Sequence, residues 1–188
     1  MWRQLIPAFR AMLFFTVLTG LVYPGVITAV CQTFFHYQAN GSLIRVHGQI
    51  IGSSLIGQEF TRARYFHPRP SACDYDASAS GASNDGPTNA KLVARIKASI
   101  AEFRRDNPDY TGPIPADLVT ASASGLDPDI SVASAEAQGA RVASARGISV
   151  NEVRALIREN TQGRVLGFLG EPRVNVLALN LALDSRRR

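Results

Sequence analysis

From Ala11 to Phe35 the chain carries no charged side chain, and Ala11 to Val30 (AMLFFTVLTGLVYPGVITAV) is apolar almost throughout. A helix needs about 20 such residues to cross a hydrocarbon core of roughly 30 Å. Phe14, Phe15, Leu18, Leu21, Val22, Val26 and Ile27 would project on all sides of a helix, whereas a helix at the edge of a soluble core keeps a polar face. Residues 1–35 are therefore expected to be a short cytoplasmic tip followed by a membrane anchor. Pro24 and Gly25 predict a kink, which membrane helices tolerate when neighbouring groups satisfy the freed backbone.

A cleaved signal peptide is the competing reading, with Arg3 and Arg10 as its basic region. Its apolar core would normally span only about 7–15 residues and end in small side chains. Thr28-Ala29-Val30-Cys31 has the outline of a lipoprotein processing site, but bulky Val30 stands before the cysteine. Arg3 and Arg10 precede the span and the next fixed charge is Arg45. The positive flank predicts a cytoplasmic N-terminus and an extracytoplasmic C-terminal part.

Residues 36–188 suffice for one domain with a core and are few for two. The formal charge of +5 does not indicate a nucleic-acid binder. Setting aside Arg3, Arg10 and the terminal Arg186, Arg187 and Arg188 leaves 15 of the 20 basic residues against 15 acidic ones, without the basic excess such binding needs. Cys31 lies at the outer end of the span and Cys73 in a polar loop, so no disulfide framework is readable.

Ser42–Val46 and Gln49–Ile56 are β-prone runs joined by His47-Gly48, a tight-hairpin pattern. The segment from Arg62 to Asn89 has no regular periodicity, yet Tyr65-Phe66-His67-Pro68-Arg69-Pro70 predicts an ordered, packed loop. Thr88 or Asn89 can cap a helix with Leu92, Val93, Ile96, Ile100 and Phe103 on one face, ended by Asn107-Pro108. Ser131 can cap an alanine-rich helix to about Arg146, and Ser149 with Glu152 forms a capping box for another. Val174–Leu183 alternates like a strand, but its Leu and Ala content favours helix. The expected fold class is α+β: one N-terminal transmembrane helix and a single extracytoplasmic α+β domain over 36–188.

Catalytic patterns are absent from the sequence. There is no G-x-S-x-G elbow, no Walker A loop, and His36, His47 and His67 are far apart without nucleophile partners. Asp127-Pro128-Asp129 and Asp74/Asp76 lack EF-hand spacing and read as capping or solvated carboxylates. Residues alone leave an anchored α+β domain, with an extracytoplasmic enzyme or binding protein using Ser/Gly-rich loops such as Ser78–Ser83 as the alternative.

Five ordered blocks go further: Gly52–Gln58 (GSSLIGQ), Tyr65–Ala72 (YFHPRPSA), Ser83–Asn89 (SNDGPTN), Asp117–Pro128 (DLVTASASGLDP) and Gly167–Leu177 (GFLGEPRVNVL). Together with the single span they closely resemble the C subunit of the bacterial Kdp potassium-transporting P-type ATPase. The resemblance implies an inner-membrane complex with a channel-like potassium-binding subunit, a P-type ATPase subunit and a small fourth subunit. It also implies a periplasmic C-terminal domain and a non-catalytic role, consistent with the lack of an Asp-Lys-Thr-Gly phosphorylation motif. Members are described as catalytic chaperones that raise ATP affinity, with a nucleotide role given to a glutamine before Arg-Val-Ala. The matching residue is Gln138. The expected orientation places Gln138 across the membrane from cytoplasmic ATP, so indirect coupling is the expectation, with Gln138 in a helix or loop contact. No metal site is implied, and ATP enters only through the complex. Asp129, Asp85, Ala82 and Ala90 depart from the family pattern, which has His, Leu, Gly and Pro there.

Overall fold

The computed structural model describes residues 2–186 and forms two compact units that divide between Leu43 and Ile44. Arg187 and Arg188 of the expected basic tail lie outside the described residues.

In the first unit, α1 (Trp2–Val17), a π-helical turn (Leu18–Val22) and α2 (Tyr23–Phe34) run on as one 33-residue helix. Its most apolar window has a mean hydropathy of 1.9 and none of it is buried. At 1.5 Å per residue it is about 50 Å long, which covers a hydrocarbon core of roughly 30 Å and leaves Arg3 and Arg10 on the surplus. The irregularity falls just ahead of Pro24, whereas Pro7 is accommodated within regular α1. Proline has no N–H to offer the preceding turn, and the helix widens ahead of Pro24, with the Tyr23 amide donating to the Leu18 carbonyl. Thr19 Oγ1 donates to the Phe15 carbonyl at 2.7 Å in the same stretch. A short α3 (His36–Ala39) follows.

Strands β1 (Leu43–Val46) and β2 (Gln49–Ser53) form the hairpin expected from His47-Gly48. His47 at φ +50° and Gly48 at φ +81° both take the left-handed conformation that a two-residue hairpin turn demands. His47 is thus a turn residue.

The second unit is built on α4 (Ala90–Asp106), β3 (Asp129–Ser131), α5 (Val132–Arg146), α6 (Val150–Glu159), β4 (Thr161–Gln162), β5 (Arg173–Asn175) and α7 (Val176–Ser185). The three short strands form an antiparallel sheet in the order β3-β5-β4, with Ile130 opposite Val174 and Thr161 also opposite Val174. One core gathers Phe66, Ile130, Val142, Val153, Leu156, Ile157, Val174 and Leu179 between the sheet and α5, α6 and α7. A smaller one joins Phe103, Leu118, Val119 and Ala137. Helix α5 contributes to both, through Ala135, Val142 and Ala143 to the first and Ala137 to the second. That explains its alanine content: neighbours approach it from several sides, and small side chains let them.

The caps sit where local chemistry puts them. Asn89, Ser131 and Ser149 accept backbone amides at the starts of α4, α5 and α6, and Ser149 with Glu152 completes the capping box. Gly147 at φ +67° closes α5, with its amide reaching Ser144 and that of Ile148 reaching Ala143, the doubly bonded C-terminal arrangement that favours glycine. Val174–Leu183 resolves into both expected patterns. Val174 and Asn175 belong to β5, and the Asn175 side chain then caps α7 by accepting from the Ala178 amide at 3.0 Å. On α4 the apolar stripe is only half used, since Phe103 is buried and Val93 is exposed.

Candidate functional site

The aperiodic segment from Arg62 is held by long polar side chains that α5 and α7 send out between their small ones. Gln138 is 1 % exposed and pairs with the backbone of His67 on both sides. Its Oε1 accepts from the His67 amide at 2.8 Å and its Nε2 donates to the His67 carbonyl at 3.1 Å. Asn180 on α7 does the same for Phe66, at 2.8 and 3.0 Å. Two side-chain amides thus replace a neighbouring strand for two consecutive residues, and Phe66 is driven fully into the core between them.

Two arginines complete the clamp. Arg141 donates from Nη1 to the carbonyls of Ala63 (2.6 Å) and Tyr65 (3.0 Å), from Nε to Asn107 Oδ1 (3.0 Å) and from Nη2 to Gln138 Oε1 (2.7 Å). Burial lowers its pKa to about 10 against the opposing pull of Asp106, so it stays charged at neutral pH. Arg146 donates from Nε to the Arg64 carbonyl at 2.7 Å and from Nη2 to Asp184 at 2.9 Å, and lies over the Tyr65 ring. The Tyr65 hydroxyl donates to the other Asp184 oxygen at 2.9 Å.

Gln138 has a carbonyl oxygen with two lone pairs and an amino group with two hydrogens. The oxygen accepts from His67 and Arg141, and the nitrogen donates to His67 and, at 3.3 Å, to the Ser134 carbonyl. Its capacity is filled within the domain. It forms part of the floor of a cleft of about 430 Å³ whose walls include Glu59, His67, Tyr75, Glu102 and Asp106. Arg105 on that wall already contacts Glu102 at 3.6 Å and Asp106 at 3.1 Å. Carboxylates outnumber free cations there, a setting that repels a polyphosphate. His67 has its pKa lowered, first by burial and then by Arg141, so its neutral ring is favoured. The Tyr75 hydroxyl is pushed up to about 12, mainly by burial, and donates to the Arg69 carbonyl at 2.6 Å.

The other candidates from the sequence lie apart from this clamp. Asp127 pairs with Arg69 at 2.9 Å, and Asp129 pairs with Arg173 at 2.8 Å. Asp76 accepts from the amide and hydroxyl of Ser78. Cys31 and Cys73 are both free thiols. Loop Ser78–Ser83 is tied down along its length: Ser80 Oγ and the Gly81 amide donate to the Ser124 carbonyl at 3.0 and 2.9 Å, the Ala79 amide donates to the Asp76 carbonyl at 3.0 Å, and Ser83 Oγ accepts from Arg95 Nη2 at 3.0 Å. Sequence reasoning missed Arg141, Arg146 and Asn180. A signal existed: Arg141 and Arg146 join Gln138 in a helix otherwise rich in alanine and serine, and Asn180 interrupts the apolar run of α7.

The family model for the K+-transporting ATPase, c chain, matches residues 5–185. The chain belongs to the KdpC family. Relatives described as potassium-transporting ATPase KdpC subunits include one from Caulobacter vibrioides, 56 % identical over 99 % of this chain and 95 % of that protein. Another, from Mycobacterium tuberculosis, is 55 % identical over 98 % of this chain and 99 % of the relative. A third, from Myxococcus xanthus, is 52 % identical over 99 % and 90 %.

Several KdpC sequence blocks acquire physical reasons in the fold. The Gly57 amide donates to the Leu126 carbonyl at 2.8 Å, and a Cβ at Gly57 would meet the Asp127 carbonyl at 2.5 Å. Gly125 is at φ +70°, where a Cβ would meet Cys73 Sγ at 2.5 Å. These two glycines let the GSSLIGQ and SGLDP blocks lie against their neighbours. Of the block Tyr65–Ala72, the clamp holds the first three residues, Tyr65–His67, together with Ala63 and Arg64 ahead of it. Of the positions expected to depart from the family pattern, Asp85 accepts from Arg95 at 3.2 Å and from Asn89 at 2.8 Å, and Ala90 opens α4.

Proposed function

We propose that this chain is a non-catalytic accessory subunit of an ATP-driven potassium uptake complex. It is anchored by the helix within residues 1–35, with the N-terminus cytoplasmic and the domain of residues 36–188 on the periplasmic side of a bacterial inner membrane. Its partners are a channel-like potassium-binding subunit, a P-type ATPase subunit and a small fourth subunit. The observation that carries the reading is the family match over residues 5–185, which takes in the apolar helix as well as the domain.

The domain stabilises the assembly and favours the conformation of the ATPase subunit that binds ATP. Gln138 contributes by fixing the backbone of His67 and orienting Arg141, not by touching nucleotide. Its filled hydrogen-bonding capacity and the acidic cleft beside it support this reading. Coupling between sites requires only that each favours the same state of the complex, and ATP shifts an equilibrium through its different affinity for the states.

Purification of the tagged full chain in mild detergent tests the subunit reading. The expected result is stoichiometric copurification of a multi-span potassium-binding subunit and a P-type ATPase. A chain that comes away alone from cells expressing those proteins would contradict it. Equilibrium ATP titration addresses Gln138: saturable binding by this chain alone, lost in Gln138→Ala, would overturn indirect coupling.

A further inference from the structure

The connection between β4 and β5 is an ordered finger with four large apolar side chains in solvent. Val165, Leu166, Phe168 and Leu169 are 55 %, 79 %, 69 % and 50 % exposed. The finger does not hang loose. Val165 and Leu169 exchange backbone hydrogen bonds at 2.9 Å in both directions, and Arg164 Nη2 reaches both Glu171 oxygens at 3.0 and 2.8 Å across its base. Its tip carries Leu166 at φ +54° followed by Gly167 at φ +82°. A bulky residue in the left-handed region is a strained choice, and a tip that only reversed the chain would take Asn-Gly or Gly-Gly. Strain held on an exposed leucine points to a use for that side chain.

Charge separates the two surfaces that could cover it. Apolar loops that enter bilayers are ringed by lysine and arginine, which draw them to anionic headgroups. Here each arginine around the finger's base is matched to a carboxylate: Arg164 to Glu171, Arg173 to Asp129 and Arg69 to Asp127. Except for Arg164, these pairs line a shallow groove with Asp117, which accepts from Ser131 and Ser134 and has no cation among those partners. The surround is neutral to acidic, suited to a protein groove with a basic rim.

We propose that the finger of residues 163–172 is the domain's docking element, seating Leu166 and Phe168 in an apolar groove of another subunit of the potassium-transporting complex. This rests on the subunit reading above. Central aromatic and aliphatic anchors in a desolvated pocket carry most of an interface's affinity.

The test uses the whole complex in cells, with a benzophenone amino acid at position 168 of the full chain and mass spectrometry of the captured species. Capture of a named subunit of the complex is expected. Capture of lipid alone, or of a second copy of this chain alone, overturns the proposal. In parallel, Phe168→Asp is expected to reduce copurification of the partners at least about tenfold, while Val150→Asp on α6 leaves it unchanged. Leu166→Gly separates docking from folding: relief of the positive-φ strain should leave thermal unfolding of the chain unchanged or higher while copurification falls. Phe168→Asp and Leu166→Gly complexes as robust as the unsubstituted one would sink the finger alone. An unsubstituted chain without partners would sink the subunit reading and the finger with it.

Discussion

Replacing Gln138 with alanine removes four hydrogen bonds at once and leaves the His67 amide and an Arg141 nitrogen without their partner. Each buried group left unsatisfied costs about 1–3 kcal/mol. Gln138→Ala is therefore expected to lower domain stability by about 2–4 kcal/mol, read as a shift of the urea midpoint at unchanged slope. His67 predicts a pH dependence. Its folded pKa is lowered from 6.5, mainly by burial, so the unfolded chain binds the proton more readily. That contribution to stability is present above pH about 6.5 and is lost as pH falls through the lower folded value. His67→Asn should flatten the stability profile below pH about 6.5, and an unchanged slope there would assign it to other groups. The sequence pointed to Gln138 through a family motif. Arg141 and Ser134 are its neighbours on α5, but the His67 backbone that takes its other two bonds was illegible because it lies 71 residues away in sequence, and nothing local encodes such a pairing.

Among the elements, the helices were legible from their ends. Ser149-x-x-Glu152, Ser131, Asn89 and Asn107-Pro108 act through bonds that close within a few residues, so their chemistry can be read without tertiary knowledge. Ser149→Ala should accordingly cost about 1 kcal/mol, measured by thermal or urea unfolding, and a neutral result would mean that the capping box is idle. Gly147→Ala, at φ +67°, should cost about 1 kcal/mol for the same C-terminal reason. The hairpin at His47-Gly48 was readable because positive φ at two adjacent positions is a demand on residue type. The β3-β5-β4 sheet was not, since its strands are two or three residues long, too short for any alternation to stand out. The β5–α7 junction hid for a related reason: the strand ends inside an apolar run that continues as helix, and the Asn175 cap lies in the middle of it. The packed loop from Arg62 was legible as ordered from its aromatic and proline content, though the helix side chains that order it were not.

For the molecule as a whole, the apolar helix and the family blocks carry the class of protein in the sequence, and the fold adds the polar clamp, two cores sharing α5 and an exposed finger. Arg3 and Arg10 before an uncharged span predict that a cysteine introduced at Ser80 reacts with a membrane-impermeant reagent in intact cells. Labelling only after permeabilisation would reverse the orientation and reopen direct access of Gln138 to cytoplasmic nucleotide. The central claim is that this chain is required by, without itself performing, ATP-driven potassium transport. Its most direct test is potassium-stimulated ATP hydrolysis by the purified complex assembled with and without this chain. The account predicts that hydrolysis is lost without it and restored when the full chain is supplied, whereas full potassium-stimulated hydrolysis in its absence would contradict it.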